Sequence, residues 1–310
     1  MDCQDPLNME TIQYIDRLSQ TVETEKVYGG QFLKLLYGRD LLSRTLGASV
    51  LFFLARFPIF SSFYGWWQSQ SWTAKKIQPF IDAFQVNPSE FALPVEQFKS
   101  FNDFFIRKLK PDARPLAKEE NVAIMPADGR YLCYQNIETI DGFVVKGKKF
   151  SLDELLKDSV LANRYRQATM VMARLCPTDY HRYHFPCECI PGITNMIPGD
   201  LYSVNPIAIR QNVEIFTENK RTLCELETAQ FGKVLFIEIG ATFVGSIHQT
   251  YTPHSPVKKG DEKGYFSFGG SSLILLFEPN TLHLDEDLVQ ASLNHIETKC
   301  LMGQSLGRRL

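Results

Sequence analysis

The chain lacks most of the features that assign a protein to a class at sight. Its 33 Lys and Arg are matched by 35 Asp and Glu, a net charge of −2. No basic excess is available for nucleic acid. The seven cysteines, at 3, 133, 176, 187, 189, 224 and 300, are an odd number without framework spacing. Cys187-Glu188-Cys189 is one residue short of the C-x-x-C of structural zinc sites, so the expectation is free buried thiols in a reducing compartment and no metal. Met1-Asp2-Cys3-Gln4-Asp5 is acidic and polar, which reads against a secretory signal. No membrane-spanning run of about 20 apolar residues occurs. Val50-Leu51-Phe52-Phe53-Leu54-Ala55 is interrupted by Arg56 and Pro58. There is no G-x-S-x-G nucleophile elbow and no internal repeat. The 310 residues suffice for one large domain or two, with a core that needs no disulfide staples.

What is present falls into two textures. Residues 9–24 carry Ile12, Ile15, Leu18 and Val22 at helical spacing, and residues 31–57 read as helix through Phe32, Leu35, Leu36, Leu42, Leu46 and Phe53. Between 31 and 81 the cations Lys34, Arg39, Arg44, Arg56, Lys75 and Lys76 face Asp40 alone, and Trp66, Trp67 and Trp72 share this stretch. An apolar face, cationic bias and interfacial aromatics suit helices lying in a membrane surface. An ordinary core helix or a dimer seam would show much the same pattern. From about residue 120 short β-rich runs dominate: Arg130–Tyr134, Gly142–Val145, Met170–Leu175, Lys233–Ile239, Phe243–Ile247 and Leu273–Phe277. Ser151, with Glu154 three residues on, starts a short helix. The expected fold class is α+β. A helical, membrane-associating region spans 1–80, and a β-rich catalytic domain of barrel- or sandwich-like sheets spans 81–310.

Three segments hold candidate chemistry. Gly269-Gly270-Ser271-Ser272 joins an aromatic strand to an apolar one. It reads either as a tight turn or as a strained bond whose serine attacks its own preceding carbonyl. Asp179-Tyr180-His181-Arg182-Tyr183-His184 holds two of the six histidines. A serine nucleophile needs such a base, and the base needs an orienting carboxylate. Asp128, in Pro126-Ala127-Asp128-Gly129, sits in a turn at a strand start.

Many ordered segments of the chain resemble the phosphatidylserine decarboxylases, pyruvoyl enzymes that cut themselves to make their cofactor. Lys259-Gly260-Asp261-Glu262-Lys263-Gly264 followed by Gly270-Ser271-Ser272 matches the family's cleavage region, with serine replacing threonine and with the additional Gly269. Further matches are Phe98–Arg107, Ala113–Leu116, Pro126–Gly129, Lys146–Leu152, Pro177–His184, Pro198–Asn205, Asn219–Arg221 and Gly240–Ile247. The resemblance implies scission between Gly270 and Ser271 into a β chain (1–270) and an α chain (271–310) that stay associated. Asp128, His184 and Ser271 would form the self-cleavage triad, and His181 would serve decarboxylation as a general acid. Backbone N–H groups near Gly240-Ala241-Thr242 are candidates for the oxyanion. The pyruvoyl group made from Ser271 would form a Schiff base with phosphatidylserine, releasing carbon dioxide and then phosphatidylethanolamine. Partners implied are the lipid and an anionic membrane surface, with a homodimer left open and no nucleic acid. The expected location is peripheral, on the cytoplasmic face of the inner membrane.

Three other readings are set beside this one. A pyruvoyl decarboxylase of a soluble amino acid would not need the aromatic and basic N-terminal stretch. A biotinyl- or lipoyl-type carrier would need a modified lysine at a hairpin tip. A serine hydrolase using His184 and Asp128 would remain an uncut chain.

Overall fold

The computed structural model describes residues 11–38, 43, 47, 50–51, 55–56, 58–139, 150–241, 246–267 and 271–310. In chain order its strands are β1 (Gln13–Asp16), β2 (Thr21–Thr24), β3 (Val122–Ile124), β4 (Gly129–Tyr134), β5 (Thr169–Leu175), β6 (Arg182–His184), β7 (Ile190–Pro191) and β8 (Asn195–Ile197). They continue with β9 (Arg221–Thr228), β10 (Gly232–Ile239), β11 (Ile247–Gln249), β12 (Glu262–Phe266), β13 (Ser271–Phe277), β14 (Leu282–Leu284), β15 (Glu297–Cys300) and β16 (Ser305–Arg309). A ten-stranded sheet runs β2-β1-β15-β4-β5-β13-β10-β9-β7, with β8 also on β9. Two three-stranded sheets, β11-β12-β6 and β14-β16-β3, complete the described β structure.

The central strands alternate strictly between two cores. Ala173, Leu175, Leu273, Leu275, Val234 and Phe236 enter one apolar cluster with Tyr183 and Phe266 of the β11-β12-β6 sheet and with Phe185 just after β6. Met170, Met172, Ile274, Leu276, Leu235 and Ile237 enter a second, under the helices Gly30–Tyr37, Leu152–Leu156 and Pro206–Ile209. Every residue of β5 and β13 is buried, because both faces of the sheet are covered. The architecture is therefore α+β: small sheets, the large sheet, then helices. No barrel is closed among the described residues. The large sheet ends in the short strand β2 on one side and in β7 and β8 on the other, which limits exposed edge pairing without closure.

The N-terminal expectation is corrected in part. Residues 13–24 form a hairpin, not a helix, and β1 lies parallel to β15 at the edge of the large sheet. The burial period is two: Ile12, Tyr14 and Asp16 face inward, whereas Leu18 and Val22 are exposed. Counting Ile12, Ile15, Leu18 and Val22 gave a helical period by passing over Tyr14. Helices do follow at Gly30–Tyr37, Pro58–Gln68 and Ile77–Phe84. The expected strand 142–145, residues 243–245 of the expected strand 243–247, and most of residues 38–57 of the expected helix 31–57 lie outside the described residues.

A third apolar cluster ties these helices to the site. Phe80, Phe91, Phe98, Phe101 and Phe104 pack mostly edge to face, as at Phe80–Phe101 (5.3 Å, 77°) and Phe98–Phe104 (5.7 Å, 79°). Ser100 caps the helix Phe101–Phe105 by accepting the N–H of Asp103 at 3.1 Å. Thr73 accepts the N–H of Phe101 at 2.9 Å and so joins the two layers.

Candidate active site

Asp128 ends the turn that opens β4. Tyr131 holds this turn from inside: its hydroxyl donates to the Ala127 carbonyl at 2.6 Å and accepts the Ala127 N–H at 3.2 Å. A Cβ at Gly129 would stand 2.9 Å from the Arg174 carbonyl, so only glycine lets β4 meet β5 here. The buried Asp128 carboxylate accepts from Arg114 Nε (2.9 and 3.1 Å), Arg114 Nη2 (2.6 Å) and the Met302 N–H (2.8 Å). Burial works against the Arg114 charge, but the Asp128 bonds and the Glu90 carboxylate raise its pKa above the ordinary guanidinium value.

His184 ends β6 beside this turn, its backbone N–H donating to the Pro126 carbonyl at 2.7 Å. Its Nδ1 lies 2.9 Å from the Gly260 carbonyl and its Nε2 lies 3.3 Å from the Tyr180 hydroxyl. Gly260 takes φ +85° in the Lys258–Asp261 turn, a conformation that suits glycine and aims its carbonyl at the ring. Burial lowers the His184 pKa, against the opposing pull of Gly260, Glu262 and Asp128. Because a carbonyl only accepts, Nδ1 carries the proton, and the lone pair of Nε2 takes the tyrosine O–H.

His181 is fully buried and stacked on Phe105 (3.8 Å, 23°). Its Nε2 donates to the Cys176 carbonyl at 2.9 Å, whereas Nδ1 has no hydrogen-bond partner among the described residues. Burial pushes its pKa down to about 3, the nearby Asp179 opposing only in part. At neutral pH the ring is an uncharged base with one free lone pair.

Ser271 is the first residue of β13, a strand between β5 and β10 at the middle of the large sheet. It pairs with Leu175, next to Cys176, and its hydroxyl is fully buried without a partner among the described residues. The Ser272 hydroxyl is likewise unpartnered. Residues 268–270 lie outside the described residues. The segments on either side of them converge on one histidine: Phe266 N–H donates to the His181 carbonyl at 3.0 Å, and the His181 ring is tethered to Cys176.

The structure thus brings Ser271 near the Cys176–His181 loop, and Asp128 near His184. No hydrogen bond joins Asp128 to His184 or His184 to Ser271. The Gly240 N–H donates to the Lys220 carbonyl (2.9 Å), which removes it from the oxyanion candidates; Thr242 lies outside the described residues. Sequence reasoning missed Arg114 and Tyr180, and it missed the fully buried ion pair Glu238–Lys263. Gln249 accepts from Lys263 at 2.9 Å and donates to Glu238 at 3.2 Å. The signal for that pair was available: Glu238 is the one charge in the interior of an apolar strand, and such a charge demands a partner.

A cavity of about 1260 Å³ opens beside the site. Asp128, Cys176 and Tyr180 line one part of it, and Leu33, Tyr64 and Phe84 another. Glu25 bridges Arg174 (2.7 Å) and Arg130 (3.4 Å) in its wall, and Arg130 holds Asp179 at 2.7 Å. All six described cysteines are free and buried, as expected. No group of three or more possible metal ligands occurs among the described residues.

Comparison with known proteins defines the class. The family model for phosphatidylserine decarboxylase matches residues 101–308. The chain belongs to the phosphatidylserine decarboxylase family and is a carboxy-lyase. It is 49% identical over 300 residues to a phosphatidylserine decarboxylase proenzyme of Chlamydia pneumoniae, covering 97% of this chain and 98% of that one. A proenzyme of the same name from Chlamydia felis is 48% identical over 302 residues (97% and 99%), and one from Chlamydia trachomatis serovar L2 is 43% identical over 296 residues (96% and 97%).

Proposed function

We propose that this chain cleaves itself between Gly270 and Ser271 and then decarboxylates phosphatidylserine to phosphatidylethanolamine, a step of phospholipid biosynthesis. The carrying observation is the buried Ser271 hydroxyl, without a hydrogen-bond partner among the described residues, at the start of a central strand that pairs beside the Cys176–His181 loop. A buried hydroxyl without a partner costs on the order of 1–3 kcal/mol, which function can explain and packing does not.

In self-processing, the Ser271 oxygen attacks the Gly270 carbonyl and the amide becomes an ester. His184 is the base offered to Ser271, through Nε2. Gly260 orients its ring, and the Asp128 charge favours the imidazolium that forms. β-Elimination would release residues 1–270 with a new C-terminal carboxylate, and hydrolysis of the dehydroalanine left behind, with loss of ammonia, would give a pyruvoyl group at position 271. The Ser271 oxygen and His181 Nδ1, both without a partner among the described residues, and a cavity lined by Cys176 and Tyr180 fit such a group. Once formed, that group would bind the lipid amine and supply the electron sink for the charge left by departing carbon dioxide. His181, through Nδ1, handles the protons of this second reaction.

The lipid reading draws support from the N-terminal layer. Phe63, Trp66, Trp67 and Trp72 are about half exposed and form one aromatic group, with Trp67 and Trp72 6.0 Å apart, followed by Lys75 and Lys76. Aromatics beside cations suit peripheral attachment to an anionic bilayer, which we assign to the cytoplasmic face of the inner membrane. No helix among the described residues is long and apolar enough to cross a membrane.

An intact-mass spectrum tests the proposal. It should show two chains divided between 270 and 271, the smaller blocked by pyruvoyl, and the protein should release carbon dioxide from phosphatidylserine vesicles. A single stable chain would remove the proposal. Carbon dioxide from free serine and not from vesicles would transfer it to the soluble amino-acid decarboxylases.

A further inference from the structure

Three consecutive residues outside the expected site grip the loop that carries His181. The Phe105 ring stacks on the His181 ring. The Ile106 carbonyl accepts Arg182 Nε at 2.9 Å. Arg107 Nη2 donates to the carbonyls of Thr178 (3.2 Å) and Asp179 (3.3 Å). This segment is itself immobilised: Phe104 and Phe105 are fully buried, and the Arg107 guanidinium lies over the rings of Phe91 (5.1 Å) and Phe104 (4.9 Å). On the other side the Cys176 carbonyl accepts from His181 Nε2, and the Phe266 N–H donates to the His181 main-chain carbonyl. The ring cannot turn over without breaking the Cys176 bond and leaving a buried N–H unpaired. Among the described residues, Nδ1 alone is left without a partner.

We propose that Phe105, Ile106 and Arg107 are positioning residues that fix His181 with its proton on Nε2, so that Nδ1 alone exchanges protons with the substrate, as a base before it is an acid. This rests on the function proposed above. The lipid amine arrives as an ammonium ion and must lose a proton before it can attack a ketone. The α-carbon must gain one after carbon dioxide leaves. One lone pair serves both needs: Nδ1 takes the ammonium proton and returns it to carbon. The released amine then takes its proton from solvent, so the count closes. A ring that begins uncharged can accept the first proton, but one with a pKa of about 3 holds it only while the lipid carboxylate stands beside it, so the loss of carbon dioxide drives the proton on to carbon. The charged groups facing the ring are Asp179 from its own loop and Arg107 from the gripping segment, opposed in sign; the buried Cys176 and Tyr180 have raised pKa values and stay protonated.

The test reads the tautomer directly. The ¹⁵N-histidine NMR spectrum of the wild-type protein, with His181 assigned by its loss in His181→Asn, should show N–H at Nε2 and a bare Nδ1 unchanged from about pH 8 to 5. Phe105→Leu should let that resonance titrate and should lower kcat by about tenfold with KM unchanged, while the intact-mass pattern stays that of the wild type. Phe105→Tyr, which keeps a ring, should restore both. A wild-type Nδ1–H tautomer, or wild-type titration near 6.5, overturns the proposal even if every variant misfolds. So does a Phe105→Leu protein with wild-type kcat and an untitrating ring. A wild-type protein that neither cuts nor decarboxylates would sink the function proposed above and leave the tautomer reading measured on its own.

Discussion

Asp128→Asn should cost stability as well as processing, and the two losses can be separated. The Asp128 carboxylate is the acceptor for two guanidinium nitrogens and one backbone N–H, with its side chain 6% exposed and that of Arg114 9% exposed. An asparagine can keep one oxygen toward Met302 N–H, but its amide then turns N–H groups toward the guanidinium. Arg114 retains Glu90 at 2.9 Å as its remaining carboxylate. Removing one partner of a buried pair costs about 3–5 kcal/mol; with Glu90 in place, about 3 is the better figure. Unfolding entropy of about 2.1 cal/mol/K per residue gives roughly 0.65 kcal/mol/K for 310 residues, so the expected fall in Tm is about 4–5 °C. The comparison belongs in a Ser271→Ala background, where both proteins are one uncut chain. A Tm within about 1 °C of the parent would refute the argument, since Asp128 would then carry no structural charge, whatever became of cleavage.

Ser271→Ala should itself remain a single chain by mass and release no carbon dioxide. Ser272→Ala should still be cut, since that hydroxyl is also buried without a partner among the described residues, and its removal should raise Tm by about 1–2 °C; an uncut product would mean that Ser272 takes part. Both histidines have folded-state pKa values below the unfolded value of about 6.5, His181 at about 3. The folded chain therefore binds fewer protons than the unfolded one below pH 6.5. Stability should fall as pH drops from about 6.5 toward 5, by up to about 1.4 kcal/mol per pH unit for each histidine. Urea titrations of Ser271→Ala check this, and flat stability over that range would contradict it. Lys263→Met should cost about 3–5 kcal/mol by stranding Glu238, and adding Glu238→Leu should recover most of the loss. Additive losses in that double-mutant cycle would mean that the two side chains do not act as a pair.

The central strands were legible because their signal is local. The runs around Met170–Leu175, Lys233–Ile239 and Leu273–Phe277 are apolar, β-branched or aromatic, and bounded by turn residues. The Ser151 cap was legible for the same reason, and Ser151 does accept the Glu154 N–H. The hairpin at 13–24 was not, since it is stabilised by a parallel partner some 280 residues away that no local period encodes. Asp128 was legible as a residue at a strand start. Its commitment to Arg114 was not, because the pairing depends on how the loop before β3 returns across the site. The spacing of three between the two histidines fits one helical face as well as a strand edge and does not choose between them. The structure puts His184 in β6 and His181 just ahead of it, tied to different carbonyls, Gly260 and Cys176.

The position of β13 bears on the life of the molecule if it is cut as proposed. The segment from 271 onward supplies a strand between β5 and β10, another between β1 and β4, and two of the three strands of the β14-β16-β3 sheet. A fragment interleaved in this way has no place to insert until the rest has formed, and the rest has gaps in its sheets without it. Folding must therefore precede scission, and the reverse order is closed. The uncut chain should refold from urea, whereas the cut protein, once unfolded, should not reassemble. Its durability is then set by the rate at which it opens, not by an equilibrium to which it can return.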